Sequence, residues 1–397
     1  MDFSLKYDIV VVGAGIAGVS AALAAARRGH RVALVEKQTL IGGLATAGLI
    51  FVYLPLCDGE GVQVTGGIAE ELLLRGLDFS PFELPQDWQK EAPPQRGSSS
   101  RYKVDFAPAS LTLVMDELLA EANVDLWLDS RVCDIRQSAG RISAIEVENA
   151  SGRGMLQGSC FVDASGEALL VRRAGGEFST ALNSLSLWMM EMSPKASSIY
   201  AFTDSLHIQP FRFPFEVYRP GSGLDGKDVS NYTRFCWQEL RKYYRDNYAA
   251  GHTSFNHYPV HLPTMPQFRK MAAAKCLKTL NSGDEFRRFE DSVGMTGDWR
   301  KPGPVWETPL GCLIPEKTDG VLMAGRCISA IEDAWEVYRV IPAAAMTGEA
   351  AGISAAICVE QRRTPHELAA APVQDALRQG GIKLHLDEVG LGAKYAN

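Results

Sequence analysis

Tyr7 to Val12 (YDIVVV) ends in a continuous β-branched run rather than an alternation, which predicts a parallel strand covered on both faces. Gly13-Ala14-Gly15-Ile16-Ala17-Gly18 follows at once, and an alanine-rich helix is expected from about Ile16 to Arg28. Gly29 stands where a C-cap belongs, and His30 to Val35 predicts a second strand ending at Glu36, which completes a βαβ unit. Further on, Lys103 to Asp105 and Ser110 introduce a helix over LTLVMDELLAEA. Leu126 to Ile135 and Arg141 to Glu148 alternate as strands do, Ser151-Gly152 predicts a hairpin turn, and Ser159 to Asp163 reads as a buried strand. Thr318 to Ala324 predicts one more buried strand, and Val337 to Val359 ends in a long alanine-rich helix. Residues 91–101 (EAPPQRGSSSR) mix Pro, Gly, Ser and charge, the pattern of a loop or lid.

Between 179 and 300 the character changes to Tyr, Phe, Trp, His and Arg (FRFPFEVYRP, NYTRFCWQELRKYY, TSFNHYPVHLP), as in a pocket-forming insertion. The 397 residues are 46% hydrophobic and 22% charged, which excludes a disordered or collagen-like chain. Forty Lys and Arg against 47 Asp and Glu make the chain mildly acidic, so no nucleic acid or anionic membrane surface is expected as the main partner. The eight cysteines are too widely spaced for CxxC zinc, redox or iron–sulfur patterns, and a reduced, cytoplasmic chain without a metal is expected. Neither an export signal nor a membrane span is expected. The most membrane-like stretch, Val340 to Val359, contains Pro342, Thr347, Gly348 and Glu349 and reads as a buried helix.

The glycine pattern carries the first chemistry. Gly13 permits the tight turn, Gly15 lets backbone approach a pyrophosphate, and Gly18 allows close helix–strand packing. The helix N-terminus adds N–H donors and a positive dipole end, and Glu36 stands where an acid can accept ribose hydroxyls. Gly221, Gly223 and Gly226 fit the same spacing, but Pro220 precedes them and no apolar helix is expected to follow, so they read as a loop.

Three further segments, Gly42-Gly43-Leu44-Ala45-Thr46, Phe161 to Gly166 (FVDASG) and Gly320 to Arg326 (GVLMAGR), resemble flavoproteins of the glutathione-reductase type. The order of segments resembles the FAD-dependent oxidoreductase family, whose N-terminal region is similar to fumarate reductase and succinate dehydrogenase flavoproteins. The likeness runs on through Val104-Asp105, the 141–163 hairpin, FEDSVGMTGDWR at 289–300 and GRCIS at 325–329. It implies an α/β fold: a Rossmann-like FAD-binding domain formed by 1–178 and 301–360, an inserted α+β substrate domain at 179–300, and a C-terminal helical tail at 361–397. It also implies residue roles. Gly13, Ala14, Gly15 and Gly18 would hold the diphosphate, Glu36 and Lys37 the adenosine ribose, and Val132 the adenine. Gly42, Gly43, Leu44 and Ala45 would line the approach to the flavin, and Ala164-Ser165-Gly166 stands where the family has Ala-Thr-Gly. Gly325 and Arg326 would lie beside the ribityl chain and diphosphate, and the helix starting near Pro342 and Ala343 would aim N–H groups at the flavin pyrimidine.

The implied activity is hydride transfer between a small organic substrate and the N5 of non-covalently bound FAD. No second strand–glycine–helix unit for NAD(P)H is recognisable, so the electron acceptor or donor is separate. Alternatives are a monooxygenase or halogenase fed by a separate reductase, and a non-catalytic flavin-binding electron-transfer subunit. The histidine and arginine set of a fumarate reductase is not recognisable, and Ala330-Ile331-Glu332-Asp333 replaces the histidine that many relatives carry after the GRCIS-like stretch. His257, with His261 beside it, is the candidate base, and Arg300 and Arg339, with Trp299 and Trp335, are the candidate wall for a planar or anionic substrate. Arg269 is a further candidate. Tyr243, Tyr244, Trp237, Phe235 and Arg241 read as core or solvated helix rather than a clamp.

Overall fold

The computed structural model describes residues 2–85, 103–183, 186–194 and 201–395, so the loop expected at 91–101 lies outside the described residues. The N-terminal unit forms as β1 (Phe3–Val12), α1 (Ile16–Ala26) and β2 (Val32–Val35). Ile9, Val10 and Val11 are fully buried, as expected of a strand covered on both faces, and α1 and the helix Ile341–Gln361 pack against it. At ~1.5–3 kcal/mol for each such side chain, this strand is a major part of the core.

Five strands run parallel in the order Asp125–Trp127, β2, β1, Gly152–Asp163 and Val321–Met323. The long strand Gly152–Asp163 has two partners along its outer edge. Its first half pairs antiparallel with Arg141–Asn149, which continues to Arg131–Ser138, and its last three residues pair with Val321–Met323. The hairpin expectation thus holds with shifted ends, and Ser159 to Asp163 is the end of a longer strand, but the strand expected over Leu126 to Ile135 is two, Asp125–Trp127 beside β2 and Arg131–Ser138 beside Arg141–Asn149, broken at Asp129 with φ +46°.

Every residue of α1 is buried, and its neighbour is the helix Ile341–Gln361. The two backbones meet at glycines. A Cβ on Gly348 would lie 2.2 Å from the Ala17 carbonyl oxygen, and one on Gly352 the same distance from that of Ala21. By length and mean hydropathy, 1.3 over its most apolar window, the Ile341–Gln361 helix could cross a membrane, but 94% of that window is buried inside the protein.

The helix expected from Val337 is two helices, Glu332–Tyr338 and Ile341–Gln361, separated by Arg339 and an extended Val340. Pro342 is the reason. It lacks the N–H that would bond Tyr338, and its ring would meet that carbonyl, so the chain stops and restarts with Pro342 in the first turn. The antiparallel pair Ser292–Gly297 and Val305–Pro309 straddles residue 300, and Gly294 lies against Met346 of the long helix.

A second, smaller core lies between 186 and 268. Strands Leu206–Arg212, Ser186–Met192 and Tyr258–His261 form an antiparallel sheet, and the helix Gly226–Ala249 packs Tyr232, Cys236, Leu240 and Tyr244 against Leu187, Met189 and Phe268. Those helix positions repeat every four residues, so Tyr244 is core while Trp237 is half exposed. A helix does follow Gly221-Ser222-Gly223, but it is a polar one that buries a single stripe, in line with the expectation of no apolar helix there. Its N-terminus is nonetheless closed to an anion, because the Asp225 carboxylate accepts from Lys227 N–H and Asp228 N–H. The C-terminal segment carries the helix Ala370–Gln379 and is tied down by Glu307, which accepts from Phe289 N–H, His385 Nδ1, Leu386 N–H and the Tyr395 hydroxyl.

Candidate functional site

The carboxyl ends of β1, β2, Gly152–Asp163 and Val321–Met323 open on one cavity of about 1510 Å³, the place where open α/β sheets bind ligands. Its volume exceeds the ~300–1,000 Å³ of most single-ligand pockets, leaving room for a cofactor and a substrate together.

The glycine turn is built by short backbone contacts. Gly13, at φ +95°, donates its N–H to Val35 O at 2.7 Å, and Gly42, at φ +101°, donates to Ala14 O at 2.7 Å, which brings the second glycine loop beside the first. A Cβ on Gly18 would sit 1.7 Å from the Gly13 carbonyl oxygen, whereas one on Gly15 would meet nothing within 4 Å and would project into the cavity. Gly18 is thus a packing glycine, whereas Gly15 leaves its backbone open to the cavity. No side chain caps α1 at Gly15 or the Ile341–Gln361 helix at Val340, so the first N–H groups of both helices are free of side-chain acceptors where Gly15, Ile16, Val340 and Ile341 line the cavity.

Glu36 is oriented by this turn. Its carboxylate accepts from Ala14 N–H at 2.8 Å and Gln38 N–H at 3.0 Å, and the remaining lone pairs are available to ribose hydroxyls. Lys37 and Arg172 both pair with Glu167. The Ala164-Ser165-Gly166 turn hangs from buried Asp163, which accepts from Ser165 N–H, Ser165 Oγ and Leu170 N–H, while burial pushes its carboxyl above the usual range. The Ser165 hydroxyl accepts in turn from Leu169 N–H at 3.1 Å, which ties the turn to the helix that follows. Arg326 reaches across Gly166, where a Cβ would lie 2.2 Å from its Nη2.

These residues fit a dinucleotide cofactor: open backbone at Gly15, an oriented acid at Glu36, and two helix N-termini facing one space. The structure brings Gly13, Gly15, Glu36, Lys37, Gly42 to Ala45, Val132, Ala164 to Gly166, Gly325 and Arg326 to the cavity wall. Ala14 acts from behind the wall through its N–H, Gly18 through packing, and Val340, Ile341 and Ala344 line the cavity where Pro342 and Ala343 were expected.

The expected catalytic residues divide. Arg339 lines the cavity, its guanidinium 5.3 Å over the Trp299 ring and its Nε donating to Glu336 at 2.5 Å. His257 does not reach the wall. It is buried in the smaller core, with Nε2 3.4 Å from Glu191, a carboxylate that also accepts from Tyr244 OH at 2.8 Å and lies 3.1 Å from His207 Nε2. Hydrogen bonds from Tyr243, Tyr244 and His257 to this one buried carboxylate hold the small sheet to its helix. His261 lies on an exposed edge strand. Arg300 is also absent from the wall, because Asp298 and Asp333 hold its guanidinium. Burial opposes ionisation of Asp298, but the Arg300 hydrogen bonds prevail and lower its carboxyl. Trp335 stands behind the wall and donates to Arg326 O at 2.8 Å.

Sequence reasoning missed Trp188, Phe213, Arg172 and Lys103, all of which line the cavity. The period-two pattern of Ser186–Met192, which buries Leu187 and Met189 and turns Trp188 the other way, is the signal that could have found one of them.

The sequence pattern of the family described as FAD dependent oxidoreductase matches residues 8–196 and 225–377. Among curated relatives, a vinyl phenol reductase of Lactiplantibacillus plantarum is 41% identical over 79 residues, 19% of this chain and 15% of that protein. A soluble pyridine nucleotide transhydrogenase of Chromohalobacter salexigens is 58% identical over 41 residues, 10% of this chain and 9% of that one. The chain thus matches less than a sixth of the length of these relatives. Among solved structures, p-nitrophenol 4-monooxygenase from Pseudomonas putida shares the fold at TM-score 0.52 and 13% identity, covering 95% of this chain and 84% of that one. A geranylgeranyl bacteriochlorophyll reductase-like protein from Thermoplasma acidophilum does so at TM-score 0.51 and 14% identity, covering 98% and 87%.

Proposed function

The chain belongs to the FAD-dependent oxidoreductase family, an enzyme with FAD as its cofactor, and from that premise we propose that it transfers a hydride between a small organic substrate and the flavin. The carrying observation is the single cavity in which the Gly15 turn, Glu36, Arg326 and the start of the Ile341–Gln361 helix converge, with space left over. The bound flavin supplies a hydride acceptor or donor at N5.

In this reading Gly13, Gly15 and the first N–H groups of α1 hold the diphosphate, Glu36 the ribose, and the backbone at Val132 the adenine. The N–H groups at the start of the Ile341–Gln361 helix, with Arg339 just before them, face the pyrimidine edge. Trp188, Trp299, Phe213 and Met265 exclude water from the remaining space and orient the substrate. The five parallel strands with their antiparallel extension support the glutathione-reductase type of fold. The core at 186–268 supports a division into a cofactor domain, 1–178 and 301–360, and a substrate domain within 179–300. Among the described residues one strand–glycine turn–helix unit meets the cavity, which supports a separate electron partner, and burial of the Ile341–Gln361 helix supports its place in the core rather than in a membrane.

Acid precipitation of the purified yellow protein tests the cofactor assignment: FAD is expected in the supernatant. A flavin retained in the pellet would overturn non-covalent binding, and a colourless protein that cannot be reconstituted with FAD would overturn the proposal. The fold shared with p-nitrophenol 4-monooxygenase supports one second reading, a monooxygenase or halogenase served by another reductase. Oxygen consumption that requires an added reductase and NAD(P)H would replace the first reading by that one. The enzymatic family sets aside the non-catalytic subunit.

A further inference from the structure

Lysine and arginine outnumber aspartate and glutamate on the described wall of the cavity by nine to two. The two acids are engaged already, Glu36 by backbone N–H groups and Glu167 by Lys37 and Arg172. A diphosphate at the α1 end adds two negative charges there, and the excess remains at the other end, around Arg269, Arg326 and Arg339.

These three arginines are linked through the chain that carries them. Arg326 Nη1 donates to Phe268 O at 2.5 Å and to Arg269 O at 3.3 Å, so it fixes the backbone from which Arg269 projects. Gln267 Nε2 donates to Gly48 O at 2.8 Å, which docks the same segment beside the second glycine loop. Arg269 Nη2 in turn donates to Ser186 Oγ and Gln267 Oε1, both at 2.7 Å and both uncharged. Among the described residues Arg339 has one hydrogen-bond partner, Glu336 through Nε, which leaves its Nη nitrogens for a ligand. Glu336 is shared with Lys270 at 2.7 Å and also faces Arg269, so one carboxylate serves three cations. Burial first, and then the Arg339 charge, lower the Arg269 guanidinium to about 10, and burial lowers that of Arg326 as well. Concentrated like charge in a partly dry cavity is held at a cost that a bound anion relieves.

The surrounding wall states what else the anion carries. Trp188, Trp299, Phe213, Leu224 and Met265 give this end an apolar, largely aromatic lining. A guanidinium fork matches the two oxygens of a carboxylate, and an aromatic wall matches a flat apolar body. Resting on the flavoenzyme reading above, we propose that the substrate is a carboxylate on a flat, apolar framework, held at its acid end by Arg269 and Arg339 and along its body by Trp188 and Trp299.

The test is calorimetric titration of the FAD-loaded protein with benzoate, cinnamate and 2-naphthoate, with their uncharged amides, and with phenyl phosphate and inorganic phosphate. The acids are expected to bind and the amides to bind more weakly. Arg269→Met and Arg339→Met are each expected to weaken the acids by about 10–100-fold, the loss of one charge-assisted hydrogen bond, while leaving the amides unchanged, and Arg269→Met is expected to keep the flavin content as well. Equal binding of acids and amides, absence of saturable binding by all three acids, or unchanged acid binding in both variants would overturn the proposal. Tighter binding of phenyl phosphate than of benzoate would overturn the carboxylate assignment. Heat of binding is read without the flavin signal, so protein that carries no FAD defeats the flavoenzyme reading separately, and the same titration still decides whether the arginines select an anion.

Discussion

Gly15 and Gly18 belong to one motif, and alanine at each is expected to do opposite things. Gly15 has φ −70° and ψ 179°, a conformation open to any residue, and its new Cβ would touch nothing within 4 Å. Relief of unfolded-state entropy and the poorer helix cap roughly cancel, so the folding free energy of Gly15→Ala should stay within ~1 kcal/mol of wild type. The methyl nevertheless stands where the diphosphate must approach the first N–H groups of α1. Loss of two charge-assisted hydrogen bonds, ~3–6 kcal/mol, predicts FAD binding weaker by ~10²–10⁴-fold. In Gly18→Ala the Cβ would lie 1.7 Å from Gly13 O and 2.9 Å from its carbonyl carbon, so α1 must move off β1 at ~1–3 kcal/mol or more. The assay is paired: fluorescence titration of apoprotein with FAD, and chemical unfolding of the same apoprotein. Gly15→Ala should lose affinity and keep stability, while Gly18→Ala should lose stability first. Retention of FAD affinity within ~3-fold by a folded Gly15→Ala protein, or equal destabilisation of the two variants, would refute the assignment of the two roles.

Glu349, pressed by burial up to about 7, lies beside Gly67 and accepts from Ile68 N–H at 2.9 Å. Its folded pKa exceeds the ordinary 4.5, so its contribution is complete below about 4.5 and is lost as pH rises through 7; Glu349→Gln should therefore stabilise the protein at pH 8 by up to ~3 kcal/mol and change little at pH 4, as read by urea unfolding at both values. Gly348→Ala should destabilise by ~1–3 kcal/mol or more by forcing the long helix off Ala17, with Gly352→Ala doing the same at Ala21, and unchanged unfolding midpoints would contradict that packing. Glu307→Ala leaves His385 and Leu386 N–H without their buried acceptor, so limited proteolysis should cut near residue 385 faster than in wild type. His257→Ala should lower stability through the Glu191 cluster while leaving flavin content unchanged, and a variant of full stability that lacks turnover would restore His257 as a catalytic base.

The cofactor half of the site was legible in the chain because its chemistry depends on backbone. A glycine turn between a buried strand and a helix, an acid after the next strand, and a proline starting a late helix are local patterns, and local sterics decide them. The substrate half was not legible, because its side chains come together from segments far apart. Arg269 stood out only as one arginine among many, and its value comes from Arg326 holding its backbone and Arg339 facing it. His257 shows the converse: an insertion rich in aromatics and histidine predicts a pocket base, but the alternation of Ser186–Met192 turns Glu191 inward, and the histidine follows its carboxylate into the core. Arg300 was lost to the wall for the same kind of reason, since Asp298 and Asp333 compete for it more closely than any ligand could.

By itself, then, the sequence determined the βαβ start, the parallel sheet, the buried character of the alanine-rich helix and the glycine turn at the head of α1, all of which follow from periodicity and the conformational limits of glycine and proline. Tertiary structure alone decided which charged side chains face the cavity and which spend their charge on one another. That choice depends on which groups the fold brings beside each across 57 or more residues of chain, as it brings the Arg269 carbonyl to Arg326 and the Ser186 hydroxyl to Arg269.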